Sequence, residues 1–188
     1  KEEIKSQNIV TNEDAMDILA KANRRNSFIY AISKQSVAQV VFPKIVKAGI
    51  LIGANYGYEA TILSSMVETV IAIEEDTKLF NLGESNIKNL NIENLVFLNT
   101  KHSNGYKKLG LYDVIISIDL SFDINKELIN QLVDKGKIFF CEQHNNEIRE
   151  SKLSVIHKSK NSFFKQSLFD INIPFVKTSN NVNDFNFI

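Results

Sequence analysis

The sequence predicts an α/β fold built on a mostly parallel sheet. Three observations predict it. Short β-branched runs alternate with stretches of helical period from about residue 48 to residue 141. The run Ala48-Gly49-Ile50-Leu51-Ile52 ends at Gly53, turns through Ala54-Asn55-Tyr56 to Gly57, and then enters a helix-like pattern. After Glu142 the rhythm changes to two alternating runs parted by a polar turn, which suits an antiparallel hairpin better than another strand–helix–strand unit.

In chain order, Thr11-Asn12-Glu13-Asp14 offers a helix cap and an acidic first turn, and Ala15, Ile18, Leu19 and Ala22 follow at helical spacing. Ser33 or Ser36 could open a second helix, with Val37, Val40, Val41 and Ile45 on one face and Pro43 as a kink or an early end. The first strand is expected over 48–52 and a helix over 57–66. Residues 69–75 form a second buried strand ending in Glu74 and Glu75. A helix over 76–90 takes Leu79, Leu82, Ile87 and Leu90 as its apolar set. Residues 94–98 form the third strand, 99–110 a long polar loop and 112–118 the fourth strand. A helix over 124–133 stops at Gly136, and 137–141 is the fifth strand. Residues 152–157 and 163–176 form the closing strands. With no repeat, linker or low-complexity block, the expected organisation is one domain over 1–188: a helical segment over 1–47 and a core over 48–188.

Composition excludes several classes. The 188 residues can bury a sizeable core, and 44% hydrophobic with 23% charged residues is ordinary for a soluble globular chain. Lysine and arginine balance the acids at a formal net charge of zero, so no global field draws nucleic acid or an anionic membrane. No apolar run reaches bilayer length. Residues 1–10 lack the layout of a signal peptide, and the missing Met suggests a few absent residues. The single cysteine, Cys141, rules out an intramolecular disulfide, fits a cytoplasmic setting and reads as a buried strand thiol. His102, His144 and His157 have no metal-ligand spacing with one another or with Cys141 and are expected to face solvent; no metal site is expected. Lys107-Lys108 and Lys158–Lys160 read as solvated faces. Nothing in the pattern sets an oligomeric state.

Chemistry concentrates at the glycine turn. Gly53 and Gly57 allow backbone angles and close approaches that side chains forbid, and N–H groups at the helix start favour polar or anionic ligand groups. Glu74 closes the second strand 21 positions after Gly53, where an acid can accept hydrogen bonds from both ribose hydroxyls, and Glu75 stands beside it. The competing readings are a plain tight turn and a strand-end or helix-start acid. Together, loop and spaced acid favour a Rossmann-like unit for a ribose-containing ligand. Asp119, after the fourth strand, reads as a loop or cap acid.

These residues resemble a known family. Ile52-Gly53-Ala54-Asn55-Tyr56-Gly57-Tyr58 and Val70-Ile71-Ala72-Ile73-Glu74 are similar to the first two motifs of protein-L-isoaspartate O-methyltransferases, a G-T-G-S-G-Y type loop and a strand ending in I-E. Asn89-Leu90-Asn91-Ile92-Glu93-Asn94-Leu95 resembles that family's approach to its third strand, and Tyr112-Asp113-Val114-Ile115-Ile116 its F-D-x-I-I strand. Leu128 to Leu132 with Lys135-Gly136-Lys137, and Ile173-Pro174-Phe175-Val176, resemble later segments. The likeness runs from about Arg24 to Val176.

The resemblance implies a Rossmann-like class I methyltransferase fold: a seven-stranded, mostly parallel sheet with an antiparallel C-terminal hairpin. It implies S-adenosyl-L-methionine as methyl donor and isoaspartyl carboxylates of damaged proteins or peptides as acceptors. Gly53, Ala54, Asn55, Gly57 and Tyr58 would pass the methionine part of the donor, and Glu74, with Glu75 beside it, its ribose. Thr100 and Ser117 would lie near the adenine or the cleft. Ser33, in Ala31-Ile32-Ser33-Lys34-Gln35, would be the substrate-facing catalytic serine or simply a helix cap. The chain departs from the pattern where Leu51 replaces an acid, Asn55 replaces the central loop glycine, and Asn99-Thr100-Lys101 replaces G-D-G. The proline of the Ser33 segment is lost, and the segment is shorter. These departures leave open an alternative: a non-catalytic binding or scaffold protein that keeps the fold. A Rossmann oxidoreductase is third, since its fingerprint wants a tighter G-x-G.

Overall fold

The structure, a computed structural model, describes residues 46–118, 124–143 and 151–171. The helices expected before residue 46, and with them Ser33, lie outside the described residues, as do Asp119 and His144. Seven strands form one sheet: β1 (Val46–Ile52), β2 (Val67–Glu74), β3 (Leu95–Asn99), β4 (Tyr112–Ser117), β5 (Leu132–Gln143), β6 (Ser151–Ser159) and β7 (Ser162–Ile171). Their spatial order is β3-β2-β1-β4-β5-β6-β7. Strands β1 to β5 are parallel, whereas β6 and β7 run antiparallel, so the expected sheet and closing hairpin are both present.

The β-branched runs are continuous because both faces of the parallel strands are buried. Leu51, Val70, Ala72, Val114 and Ile116 face one core; Ile50, Ile52, Ile71, Ile73 and Ile115 face the other. Each fully buried Leu, Ile or Val side chain contributes about 1.5–3 kcal/mol. Leu51, which stands where the resembled family has an acid, is completely buried in the first core. Cys141 belongs to the same core, and burial pushes its thiol up to about 12.

Helix α1 (Tyr58–Ser64) is shorter than predicted. The Ser64 and Ser65 hydroxyls donate to the carbonyls of Thr61 and Ile62, closing the last turn. Asn94 then fastens this end, its Nδ2 donating to the Ser64 and Val67 carbonyls at 2.7 and 3.0 Å. Helix α2 (Thr77–Leu90) starts where Asp76 Oδ1 accepts the N–H groups of Lys78 and Leu79, and ends at Asn91 in a left-handed conformation. Its packed face is only partly the predicted one, with Ile87 buried and Leu79 half-buried as expected. Leu82 and Leu90 are exposed, and the buried positions are Gly83 and Ile87. The reason is close approach: a Cβ on Gly83 would stand 2.6 Å from Phe97 Cε1 and 2.8 Å from the Asn55 carbonyl oxygen. A side chain at position 83 would push the helix off the sheet.

The third helix, α3 (Lys126–Asn130), is also shorter than predicted, and Gly136 is not its stop but part of β5. Here three residues of β4 (Tyr112 to Val114) stand opposite six of β5 (Leu132 to Lys137), with Lys135 at φ 67° in the bulge. A Cβ on Gly136 would lie 3.0 Å from the Val133 carbonyl and 3.1 Å from that of Tyr112, so the bulge needs a glycine for close approach. The expected loop over 99–110 instead holds two short 3-10 turns, His102–Asn104 and Lys107–Leu109. Gln131 holds it: Oε1 accepts the Tyr106 N–H at 2.8 Å, and Nε2 donates to the Asn104 carbonyl at 2.9 Å.

Two expectations about surface groups change. His157 is half-buried and stacks on Phe164, with ring centroids 4.6 Å apart. Lys158 is also half-buried, and its Nζ donates to the Leu132 carbonyl at 2.6 Å. No helix among the described residues is long and apolar enough to cross a membrane.

Two outcomes follow from this packing. Replacing Gly83 with Ala should lower stability by about 1–3 kcal/mol in urea unfolding, because overpacking outweighs the ~1 kcal/mol gained in helix propensity. In the native protein Cys141 should resist thiol reagents at neutral pH and react only under denaturing conditions; rapid native labelling would contradict its burial.

Candidate donor site at the carboxyl edge of the sheet

The chain winds from β1 through β2 to β3 on one side and then crosses to β4 and β5 on the other. The switch therefore falls between β1 and β4, where open α/β sheets bind ligands beyond the carboxyl ends of their strands. The Ile118 N–H donates to the Ile52 carbonyl at 3.0 Å, bringing the two strand ends together.

The glycine turn follows β1. Gly53, Asn55 and Gly57 have φ of 79°, 47° and 84°. At Gly57 the φ of 84° strains any side chain, and a Cβ would also stand 2.9 Å from Ile87 Cδ1. Asn55 tolerates the left-handed region because its short amide makes a local bond: Nδ2 donates to the Gly53 carbonyl at 2.8 Å. Its side chain is thus folded back onto its own loop. Asn86 of α2 adds a strut, its Nδ2 donating to the Tyr56 carbonyl at 3.1 Å.

The N–H groups of this turn are largely engaged within the protein. Those of Gly53 and Ala54 both donate to the Ile73 carbonyl at 3.0 Å, and that of Gly57 to the Ala54 carbonyl at 2.8 Å. The Asn55 N–H donates to Glu74 Oε2 at 2.8 Å. The loop is therefore not a phosphate cradle, which needs several free N–H groups converging on one anion.

Glu74 sits at the end of β2 and is only 3% exposed. Besides the bond from Asn55, its Oε1 accepts the Asp76 N–H at 2.9 Å. A carboxylate has about four lone-pair directions, so two backbone bonds leave acceptor capacity for hydroxyl groups. Around it, Asn99 Nδ2 donates to the Glu74 carbonyl at 2.9 Å and the Thr100 N–H to the same carbonyl at 3.3 Å. His102, predicted to face solvent, is instead buried, and its Nε2 accepts the Glu75 N–H at 3.1 Å.

Apart from Ser33, which lies outside the described residues, the predicted residues gather along one edge. Gly53, Ala54, Asn55 and Gly57 belong to the turn after β1 and Tyr58 opens α1; Glu74 ends β2 and Glu75 follows it; Thr100 follows β3; and Ser117, fully buried, ends β4 opposite Ile52. Ala54 is buried, Thr100 half-buried, and Tyr58 and Glu75 exposed. Burial, with the nearby Glu59 carboxylate, raises the Tyr58 hydroxyl above its usual range. The sequence reading missed the brackets of this edge: Asp76, Asn99 and His102. Asp76 had a signal, as a cap residue before a helical run. Asn99 had one only as part of the Asn99-Thr100-Lys101 segment that stands for G-D-G, with no role given to it, and His102 had none, being a single polar residue in a stretch read as loop. Among the described residues, no group of three or more His, Cys, Asp or Glu could hold a metal ion.

A parallel sheet with a switch point, a glycine turn whose N–H groups are engaged, and a strand-end carboxylate beneath it define a methyltransferase-type Rossmann-like domain. The chain belongs to the protein-L-isoaspartate(D-aspartate) O-methyltransferase family, whose model matches residues 26–182. A protein-L-isoaspartate O-methyltransferase of Idiomarina loihiensis is 25% identical over 145 residues, covering 76% of this chain and 66% of that protein. Its counterpart from Pseudomonas fluorescens is 31% identical over 87 residues, covering 46% of this chain and 41% of that protein. The chain thus spans less than two thirds of the length of either relative. Its fold is also that of solved structures. One, a protein-L-isoaspartate O-methyltransferase, superposes with a TM-score of 0.67 at 19% identity, covering 78% of this chain and 45% of the other. Another, the Plasmodium falciparum β-aspartate methyltransferase in complex with S-adenosyl-L-homocysteine, has a TM-score of 0.62 at 20% identity, covering 80% and 74% of the two chains.

The left-handed turn gives a direct expectation. Asn55→Ala should cost about 1 kcal/mol or more, through the strained φ and the lost bond to Gly53. Asn55→Gly should stay within about 1 kcal/mol of the parent, because glycine accepts that φ freely. Chemical denaturation of the pair measures the difference, and equal losses would show that φ does not limit the position.

Proposed function

We propose that the protein is an S-adenosyl-L-methionine-dependent methyltransferase acting on isoaspartyl carboxylates of damaged proteins or peptides. The observation that carries this reading is Glu74: a buried carboxylate at the end of β2, joined to the glycine turn through the Asn55 N–H and retaining acceptor capacity. That arrangement of acceptor oxygens fits the hydroxyls of a ribose. A turn with engaged N–H groups suits a ligand without phosphates, such as S-adenosyl-L-methionine, and speaks against a dinucleotide. Family membership over 26–182 supports the same reaction class.

In this reading Gly53, Ala54, Asn55, Gly57 and Tyr58 line the methionine part of the donor. Glu74 and Glu75 hold the ribose side, and Thr100 and Ser117 flank the adenine or the cleft. The donor supplies an activated methyl on a sulfonium, and the acceptor carboxylate is itself the nucleophile. The chain's own contribution is to orient the two and to exclude water, which is where most of the rate advantage of such a transfer lies. Ser33 is the proposed acceptor-facing residue. We also read residues 1–188 as one methyltransferase-like domain with its helical segment over 1–47, and the setting as cytoplasmic, with protein repair as the role.

The non-catalytic alternative rested on Leu51, Asn55 and Thr100. Leu51 is a core residue, and the Asn55 amide is bonded to its own loop. Neither observation favours a lost site.

Calorimetric titration with S-adenosyl-L-methionine and S-adenosyl-L-homocysteine tests the reading directly. Binding should appear, and methyl transfer to an isoaspartyl peptide should be lost in Glu74→Ala. In Glu74→Gln one acceptor oxygen remains, so donor affinity should fall by about tenfold or more while the fold survives. No heat at millimolar ligand would sink the enzyme reading.

A further inference from the structure

The connection from β3 to β4 carries a buried residue to which the donor reading gives no role. His102 opens the first 3-10 turn and is only 5% exposed. Its Nε2 accepts the Glu75 backbone N–H at 3.1 Å. An imidazole nitrogen accepts a hydrogen bond only when it carries no proton, so the neutral ring is the Nδ1–H tautomer. In return, the His102 backbone N–H donates to Glu75 Oε2 at 3.2 Å. The same Nε2 stands 3.7 Å from Glu74 Oε1, too close for a water to lie between them.

These contacts bolt the β3–β4 connection to the main chain immediately after Glu74. The oxygen that the ring approaches is the one accepting the Asp76 N–H. The Glu74 side chain is thus bounded by the Asn55 N–H on one oxygen, and by the Asp76 N–H and the His102 ring on the other. A histidine used only to fill space would be replaceable by a leucine of similar volume. One that supplies an acceptor to a part-buried main-chain N–H does more, because without it that N–H loses the partner that fixes the main chain beside Glu74.

We propose that His102 is a positioning residue for the ribose-binding carboxylate. By holding the Glu75 main chain it fixes the orientation of Glu74, and through Glu74 it sets donor affinity without touching the methyl group or the acceptor. This rests on the donor reading of Glu74 given above.

The test measures S-adenosyl-L-homocysteine binding by calorimetry for the full chain, His102→Leu and His102→Gln, together with KM for donor and acceptor peptide. Leucine removes the acceptor, whereas glutamine restores one. His102→Leu should weaken S-adenosyl-L-homocysteine about tenfold and raise the donor KM in step, while His102→Gln stays within about threefold. The acceptor KM and kcat at saturating donor should not move. Unchanged affinity in His102→Leu, or equal losses in both variants, overturns the proposal. If His102→Leu does not fold, the imidazole 15N spectrum of the parent decides. An unprotonated Nε2 that shifts on adding S-adenosyl-L-homocysteine is expected, and a protonated or unmoved one overturns the assignment. Absence of binding by the parent chain removes the donor reading and this proposal with it. Binding by the parent with an unaltered His102→Leu removes this proposal alone.

Discussion

One carboxylate ties the carboxyl edge of the sheet together. Glu74 accepts the Asn55 N–H on one oxygen and the Asp76 N–H on the other, joining the turn after β1 to the start of α2 through the end of β2. Hydrogen bonds to a charged group are worth about 1.5–3 kcal/mol each, and more is lost when a buried partner is left alone. Asn55 can hold its left-handed backbone because its N–H has this partner and its amide has the Gly53 carbonyl. Asp76 can cap α2 because its own N–H is fixed by Glu74. The turn, the strand end and the helix start are therefore set by one group.

The same group carries the proposed chemistry, so structure and function are not separable at this position. A substitution of Glu74 changes the shape of the turn as well as the acceptors offered to a ligand. The conservative glutamine variant is more informative than alanine, because it leaves an oxygen for one of the two N–H groups. The departures from the family pattern also read differently in their surroundings. Leu51 has joined the core shared by β2 and β4, where an acid would be buried among apolar side chains. His102 brings an imidazole to the β3–β4 connection, beside the positions where the family's G-D-G has become Asn99-Thr100-Lys101.

The sheet was legible because buried parallel strands have a strong signature, and β1 to β4 each begin and end within two residues of the predicted limits. The glycine turn and Glu74 were legible for the same reason: each is placed by its distance along a strand. Helix limits were less so. Serines that turn back on the carbonyls of α1, and a bulge that absorbs the residues after α3, act through contacts that no periodicity records. The packed face of α2 was read only in part, with Ile87 right and Leu82 and Leu90 wrong, because the residue that decides the close approach is Gly83, which has no side chain to count as apolar. His102 was misread because its burial depends on Glu75, 27 residues earlier in the chain.

The contact between Gly83 and the Asn55 carbonyl has a further consequence. With only 2.8 Å available to a Cβ there, the helix backbone and the turn share one surface and have no independent play. Gly57 against Ile87 repeats the arrangement one turn further along α2. Sideways drift of the helix would therefore deform the turn directly. Because the atom facing Gly83 from the turn is a main-chain oxygen, no substitution within the turn could make room for a side chain there, whereas the turn's own side chains can vary without disturbing that contact.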